Sequence, residues 1–182
     1  MLTYTLRVLN QLALGCVTKA NIVKKSGAQT AYEVAFRAWP VDLDTYFHIN
    51  NACYLRIAEL ARWRIFPKSN MASMIKEKGV MFLVTEQVVK YMKPISPMQK
   101  YIVSTSISYT EDKWFYYNHT FLQHPDDVKQ NKEPIIYAII NCKAVLKERN
   151  GKTFRISEFL KYSSFYNDLS FNQDEDSTVS KE

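Results

Sequence analysis

The stretch Asp42-Leu43-Asp44-Thr45-Tyr46-Phe47-His48-Ile49-Asn50-Asn51-Ala52-Cys53-Tyr54 gathers two carboxylates, one imidazole and two carboxamides within ten residues. It lies between an apolar strand-like run and an apolar helix-like run. Polar side chains concentrated at a strand-to-helix junction can do chemistry, but each also has an ordinary role. Asp42 and Asp44 favour turns, and Asn50 or Asn51 can cap a helix. Residue type alone leaves both readings open.

Upstream, residues 30–39 alternate: Tyr32, Val34, Phe36 and Ala38 on one side, and Glu33, Ala35, Arg37 and Trp39 on the other. That is the period of a strand, and Pro40 ends it. Downstream, a helix is expected from Asn50 or Asn51 to about Phe66, where Pro67 stops it. Ile49, Cys53, Ile57, Leu60 and Ala61 form its apolar stripe. Arg56, Glu59 and Arg62 share the polar side, so Glu59 is expected in an exposed ion pair at i−3 or i+3, the alternative being a carboxylate that faces the cleft.

Further along, residues 70–79 read as a short helix. Four longer strands follow at about 80–92, 100–110, 113–123 and 134–147, joined as an antiparallel meander. Glu111-Asp112 and Asn150-Gly151 read as turns, residues 157–168 as a terminal helix, and 170–182 as a disordered tail. Residues 1–29 carry Arg7, Lys19, Lys24 and Lys25 and no acid, with Leu2, Leu6, Leu9 and Ala13 at helical spacing. This segment reads as a basic amphipathic helix packed on the domain, with a cleaved presequence or peripheral membrane contact as alternatives. Its apolar run is too short to cross a bilayer. The expected organisation is this segment at 1–29, a main domain at 30–156, and a helix with an acidic tail at 157–182.

A chain of 182 residues that is 47% apolar can fill one core. Cys16, Cys53 and Cys142 form no CxxC pair, which fits a reducing compartment. The cytoplasm is the expected location, with a mitochondrial or membrane-peripheral one as the alternative. The three histidines have no ligand spacing, so no metal site is expected, and no bound cofactor either. The net charge of +6 divides into −3 over the last twelve residues and +9 over the rest. A basic body favours anionic partners such as a phosphorylated cofactor or an acidic carrier protein. The Lys and Arg are scattered and form no nucleic-acid module, so no nucleic acid is expected.

The order Asp-Leu-Asp-x-x-x-His-Ile-Asn-Asn-x-x-Tyr resembles the signature of the hotdog-fold acyl-CoA thioesterases, of the 4-hydroxybenzoyl-CoA thioesterase-like and thioesterase superfamily member six-like branches. It is also similar to the plant acyl-carrier-protein thioesterases. The resemblance continues through Glu59-x-Ala61-Arg62-Trp63 and Tyr91-Met92-Lys93-Pro94, and covers roughly residues 30–147. It implies an α+β fold: a single hotdog domain with an antiparallel sheet wrapped around a long central helix. It implies a homodimer or homotetramer with sites at the protomer interface. The implied reaction is hydrolysis of fatty acyl-CoA to free fatty acid and CoA. An acyl-carrier-protein substrate, or acyl binding without turnover, are the alternatives.

Carried over by the resemblance, Asp44 is the expected nucleophile or general base, and His48 assists it. Asn50, Asn51, Tyr54 and Glu59 are expected to bind substrate or support the loop, and Asp42 to shape the loop. A carboxylate just before a helix N-terminus is held ionised by the dipole, the form either role requires. Unpaired backbone N–H groups at Asn51, Ala52 and Cys53 could polarise the thioester carbonyl. Phe47, Met81, Phe82, Leu83 and Met92 are candidates for an acyl tunnel, and Lys90 and Lys93 for phosphate contacts. Two departures matter. Tyr46 stands where the plant enzymes place Asn, so water positioning by that Asn does not carry over. Cys53 stands where bacterial relatives often have Arg, and it reads as a small buried hydrophobe rather than an activated thiol.

Overall fold

Asn50 starts the central helix. Its side-chain oxygen accepts the Ala52 N–H at 2.9 Å, one of the donors that a helix start leaves without an intrahelical partner. This helix, α2, runs Asn51–Ile65 and gives way to a short 3-10 turn at Phe66–Lys68, where Pro67 cannot continue the ladder. Tyr54, Ile57, Ala58, Leu60, Ala61 and Ile65 are buried along it. The stripe is wider than expected because α2 is covered both by the sheet and by an N-terminal helix, α1 (Leu2–Val17). The computed structural model describes residues 2–17, 21–24, 30–68, 77, 79–130 and 132–155. The expected terminal helix and tail lie outside these, as does the expected helix at 70–79 apart from Glu77 and Gly79.

The strands are β1 (Asn21–Lys24), β2 (Thr30–Arg37), β3 (Met81–Tyr91), β4 (Lys100–Glu111), β5 (Trp114–Gln123) and β6 (Ile136–Lys147). They form one antiparallel sheet in the order β1-β2-β4-β5-β6-β3. Side chains alternate between its faces, and on β5 this buries Phe115, Tyr117, His119 and Phe121 on one side. With Val34, Tyr101, Val103, Ala138, Ile140, Ala144 and Leu146 they make the inner face that meets α2. Each such large apolar side chain contributes about 1.5–3 kcal/mol when buried.

Two expectations are corrected. The four long strands are not a simple meander: β4, β5 and β6 are, but β3 pairs with β6 at the far edge of the sheet. Residues 92–99 carry the chain back across the end of the sheet. Pro94 and Pro97 keep this segment out of a ladder, and it is tied down where Ile95 O accepts the Ile49 N–H and Ala38 exchanges hydrogen bonds with Met98 and Gln99. The apolar stripe of α1 also faces away from the domain, with Leu6 56% and Leu9 55% exposed. The inward face carries Tyr4, Arg7, Val8, Gln11, Leu14 and Gly15 instead. Arg7 reaches Asp42, Gln11 accepts from Arg64 at 3.2 Å, and Gly15 lies so close to α2 that an added Cβ would sit 2.3 Å from the Arg64 carbonyl oxygen. Polar contacts, a close backbone approach and the half-buried Val8 and Leu14, rather than the Leu6 and Leu9 stripe, choose which face of α1 docks.

Candidate active site

Asp44 sits at the base of a tight loop that it largely builds. One carboxylate oxygen accepts the Tyr46 N–H at 2.9 Å and the His48 N–H at 3.4 Å, while the Asp44 N–H donates to the His48 carbonyl at 2.9 Å. Phe47 takes the left-handed conformation at φ 59°, which reverses the chain between the two. Such a conformation is costly for a residue with a Cβ, and its place in this loop accords with the clustering of strained backbone at functional sites. The reversal sets the half-buried His48 beside Asp44 and leaves Tyr46 and Phe47 exposed at the tip.

Asp44, His48, Ile49 and Asn51 form one side of an open cleft of about 220 Å³. The other side is the end of β3 and the segment after it, Tyr91, Met92, Lys93 and Pro94, with the buried Tyr54 also lining the space. The two sides are joined: the Tyr91 hydroxyl donates to the Asn51 carbonyl at 3.0 Å, and the Tyr91 and Tyr54 rings meet edge to face at 5.3 Å. Burial pushes the Tyr54 phenol up to about 12, so it remains a protonated donor at neutral pH. The cleft thus offers a carboxylate, an imidazole, a phenol and the first turn of a helix around one space. This set can bind a carbonyl compound and direct an oxygen nucleophile at it.

The helix start supplies fewer donors than expected. The Ala52 N–H is taken by the Asn50 side chain and the Cys53 N–H by the Asn50 carbonyl at 2.8 Å. Of the three, only the Asn51 N–H has no acceptor among the described residues, and Asn51 lines the cleft. Asn50 therefore acts as the cap and is not part of the lining. Glu59 is likewise outside the cleft, and the expected ion pairs with Arg56 and Arg62 are absent among the described residues. Its neighbour is Tyr4 on α1, whose phenol is pushed up to about 12 by burial and then by the Glu59 carboxylate. Of the candidate tunnel residues only Met92 lines the cleft. Phe82 packs on Phe115 and Tyr117, Met81 and Leu83 are exposed along β3, and Phe47 is at the loop tip. Lys93 is at the cleft, whereas Lys90 is not among its lining residues. Cys53 is half-buried with its sulfur 3.1 Å from the Arg56 guanidinium, yet burial outweighs that charge and raises the thiol pKa. It is no activated nucleophile.

Asp42 is the loop residue whose setting was least legible. It is fully buried, with Arg7 Nη1 at 2.7 Å from Oδ1, Arg7 Nη2 at 3.1 Å from Oδ2, and Arg56 Nη2 at 3.0 Å from Oδ1. A second buried polar cluster lies under α2. Arg62 donates to Tyr117 Oη at 3.3 Å and approaches His119 Nε2 at 3.2 Å, while His119 Nδ1 is 2.8 Å from Thr105 Oγ1. Arg62 has no acceptor capacity, so His119 must be neutral with its proton on Nδ1, donating to Thr105. Burial, reinforced by the Arg62 charge, holds the His119 pKa well below its ordinary value. The unfolded chain therefore takes up this proton first. Stability is expected to be flat above about pH 6.5 and to fall below it by about 1.4 kcal/mol per pH unit. Urea unfolding from pH 7 to pH 5 measures this, and His119→Gln is expected to flatten the slope; a wild type indifferent to pH in that window contradicts it.

A sequence-family model described as Thioesterase-like superfamily matches residues 38–162. A probable thioesterase of Saccharomyces cerevisiae is 29% identical over 132 residues, covering 72% of this chain and 54% of that protein. The chain spans about half the length of the curated relatives it matches. Among solved structures, a probable thioesterase of Escherichia coli superposes with a TM-score of 0.63 at 18% identity, over 71% of this chain and 92% of that one. A 4-hydroxybenzoyl-CoA thioesterase variant, crystallised with 4-hydroxybenzoyl-CoA, gives 0.62 at 12% identity, over 74% and 99%. These likenesses identify the sheet wrapped on α2 as a hotdog domain.

Proposed function

The chain belongs to the thioesterase-like superfamily, and from that premise we propose that it hydrolyses an acyl-CoA to the free acid and CoA, with Asp44 as nucleophile or as the base for water. The observation that carries this reading is the convergence of Asp44, His48, Asn51 and Tyr54 on one cleft. In it, the thioester carbonyl oxygen is polarised by the Asn51 N–H at the positive end of α2. Either an Asp44 oxygen attacks the carbonyl carbon, forming an anhydride that water then cleaves, or Asp44 takes a proton from water as the water attacks. In both routes the C–S bond breaks, a C–O bond forms, and the thiolate leaves to be protonated. His48 is suited to carry that proton, since its half-buried ring stands at the cleft beside Asp44.

Support for CoA as the carrier is chemical. Lys93 stands at the cleft and the body of the chain is basic, which suits the anionic phosphates of CoA. The solved neighbour bound to 4-hydroxybenzoyl-CoA shows that the same fold takes such a ligand in that protein. A panel of short, medium and long acyl-CoAs and an acyl carrier protein, read by free-thiol release, tests the proposal. Turnover of carrier protein alone would shift the substrate, and ligand binding without turnover would make the chain a non-catalytic acyl binder.

The cleft of one protomer is smaller than the roughly 300–1,000 Å³ typical of small-molecule sites. One wall ends at β3, an edge strand with exposed Met81, Leu83 and Val88. Among the described residues no strand pairs with the outer side of β3; such an apolar edge invites a second strand, so two copies paired along β3 would cover the edge and close the cleft. Light scattering is expected to give a dimer or a multiple of it. Val88→Lys, a charge placed on the edge, is expected to shift the protein towards monomer and to lower turnover with it. A monomeric, fully active wild type contradicts this arrangement.

A further inference from the structure

We infer that Arg7 is a positioning residue for the Asp44 loop, acting through the buried carboxylate of Asp42, so that α1 belongs to the working site although it lies outside the stretch matched by the family. The inference rests on the thioesterase reading of the cleft.

Arg7 grips Asp42 with two nitrogens on two oxygens, the fork geometry a guanidinium offers a carboxylate. Arg56 adds a contact to Oδ1 but none to Oδ2. Asp42 has no exposed surface, so without Arg7 its Oδ2 has no charged donor among the described residues and lies away from water. The loop must then move to solvate it. Asp42 cannot move alone. Its carbonyl accepts the Asn50 N–H at 2.9 Å, its N–H donates to the Trp39 carbonyl at 2.9 Å, and Asn50 caps α2. Motion at Asp42 is therefore passed to Asn51 through the cap on one side and to Asp44, two residues on, on the other. Both line the cleft.

The seat that brings Arg7 to Asp42 depends on Gly15, where α1 approaches the Arg64 carbonyl too closely for any side chain. Displacing α1 there withdraws Arg7 without altering it. The exposed Leu9 on the same helix offers a substitution that leaves the seat alone.

Arg7→Met, Arg7→Lys, Gly15→Ala and Leu9→Gln are made in the full chain. kcat and KM for acyl-CoA hydrolysis are measured per folded protein, with amide hydrogen exchange over residues 42–51. Misplacing catalytic groups by about 1 Å can cost on the order of 100-fold. Arg7→Met and Gly15→Ala are expected to lower kcat on the order of 10- to 100-fold with little change in KM, and to speed exchange at Asn50. Arg7→Lys restores part of the rate through a single charged contact, and Leu9→Gln behaves as wild type. A folded Arg7→Met with wild-type kcat and wild-type exchange at Asn50 overturns the inference. If Arg7→Met does not fold, Gly15→Ala and Arg7→Lys decide it on the same readouts. If the wild type hydrolyses no thioester, the hydrolase reading fails, and the exchange data alone decide whether Arg7 holds the loop.

Discussion

Asp44→Asn is expected to lower kcat for acyl-CoA hydrolysis on the order of 10²- to 10⁴-fold, the range associated with removing a positioned acid–base group, while leaving the fold intact. The amide keeps the carbonyl oxygen that accepts the Tyr46 N–H at 2.9 Å and the longer contact from His48. The turn, the left-handed Phe47 and the cleft lining therefore persist, and only the charge and basicity are lost. This makes Asn a sharper test than Ala, which would also remove the acceptor that shapes the loop. The measurement is thiol release at saturating substrate, with thermal unfolding alongside. A variant whose kcat stays within a few-fold of wild type would remove Asp44 from the chemistry and turn attention to His48. A variant that loses both rate and stability would show that the loop depends on the charge itself.

The largest effect on stability is expected at Asp42, two residues away. Asp42→Asn removes a fully buried charge and leaves the Arg7 and Arg56 guanidiniums facing an amide. Breaking a buried ion pair from one side costs about 3–5 kcal/mol, and the lower end applies because Arg7 and Arg56 remain 23% and 36% exposed and can be partly rehydrated. For a chain of this size, about 3 kcal/mol lowers Tm by roughly 6–12 °C. The contrast is Lys100 with Asp126, 3.5 Å apart with both side chains well exposed, where Lys100→Ala is expected to change stability by less than about 0.5 kcal/mol. Urea unfolding of both variants compares them directly. An Asp42→Asn change no larger than that of Lys100→Ala would show that the buried cluster contributes no net stability. Two neighbouring carboxylates thus divide the work: one is neutralised and hidden, the other is set at the cleft.

The helix after this loop could be read from the chain because its determinants are local. Asn50 supplies the cap, the apolar period supplies the buried stripe, and Pro67 supplies the stop; each acts within a few residues of where it stands. The strands were legible for the same reason, since their alternation is a property of consecutive residues. The loop signature pointed to Asp44 and His48, and the folded chain places both at one cleft.

What the chain order could not show is everything settled by residues far apart in sequence. Arg7 lies 35 positions before Asp42, and from sequence Arg56 was as well suited to Glu59 as to Asp42. The choice went to the carboxylate that folding buries, because a desolvated charge must be compensated whereas an exposed one is already served by water. The second wall of the cleft depends on β3 crossing to the far edge rather than turning back as a hairpin, and a short proline-containing connection is compatible with either. The face of α1 that docks was set by Arg7, Gln11 and the close approach at Gly15, and it leaves the Leu6 and Leu9 stripe outside. The sequence by itself determined the elements, the cap and the position of the polar loop, since these follow from neighbouring residues; only the tertiary structure decided the partners of each charge, the second wall and the docking of the N-terminal helix, since burial is a property of the assembled chain.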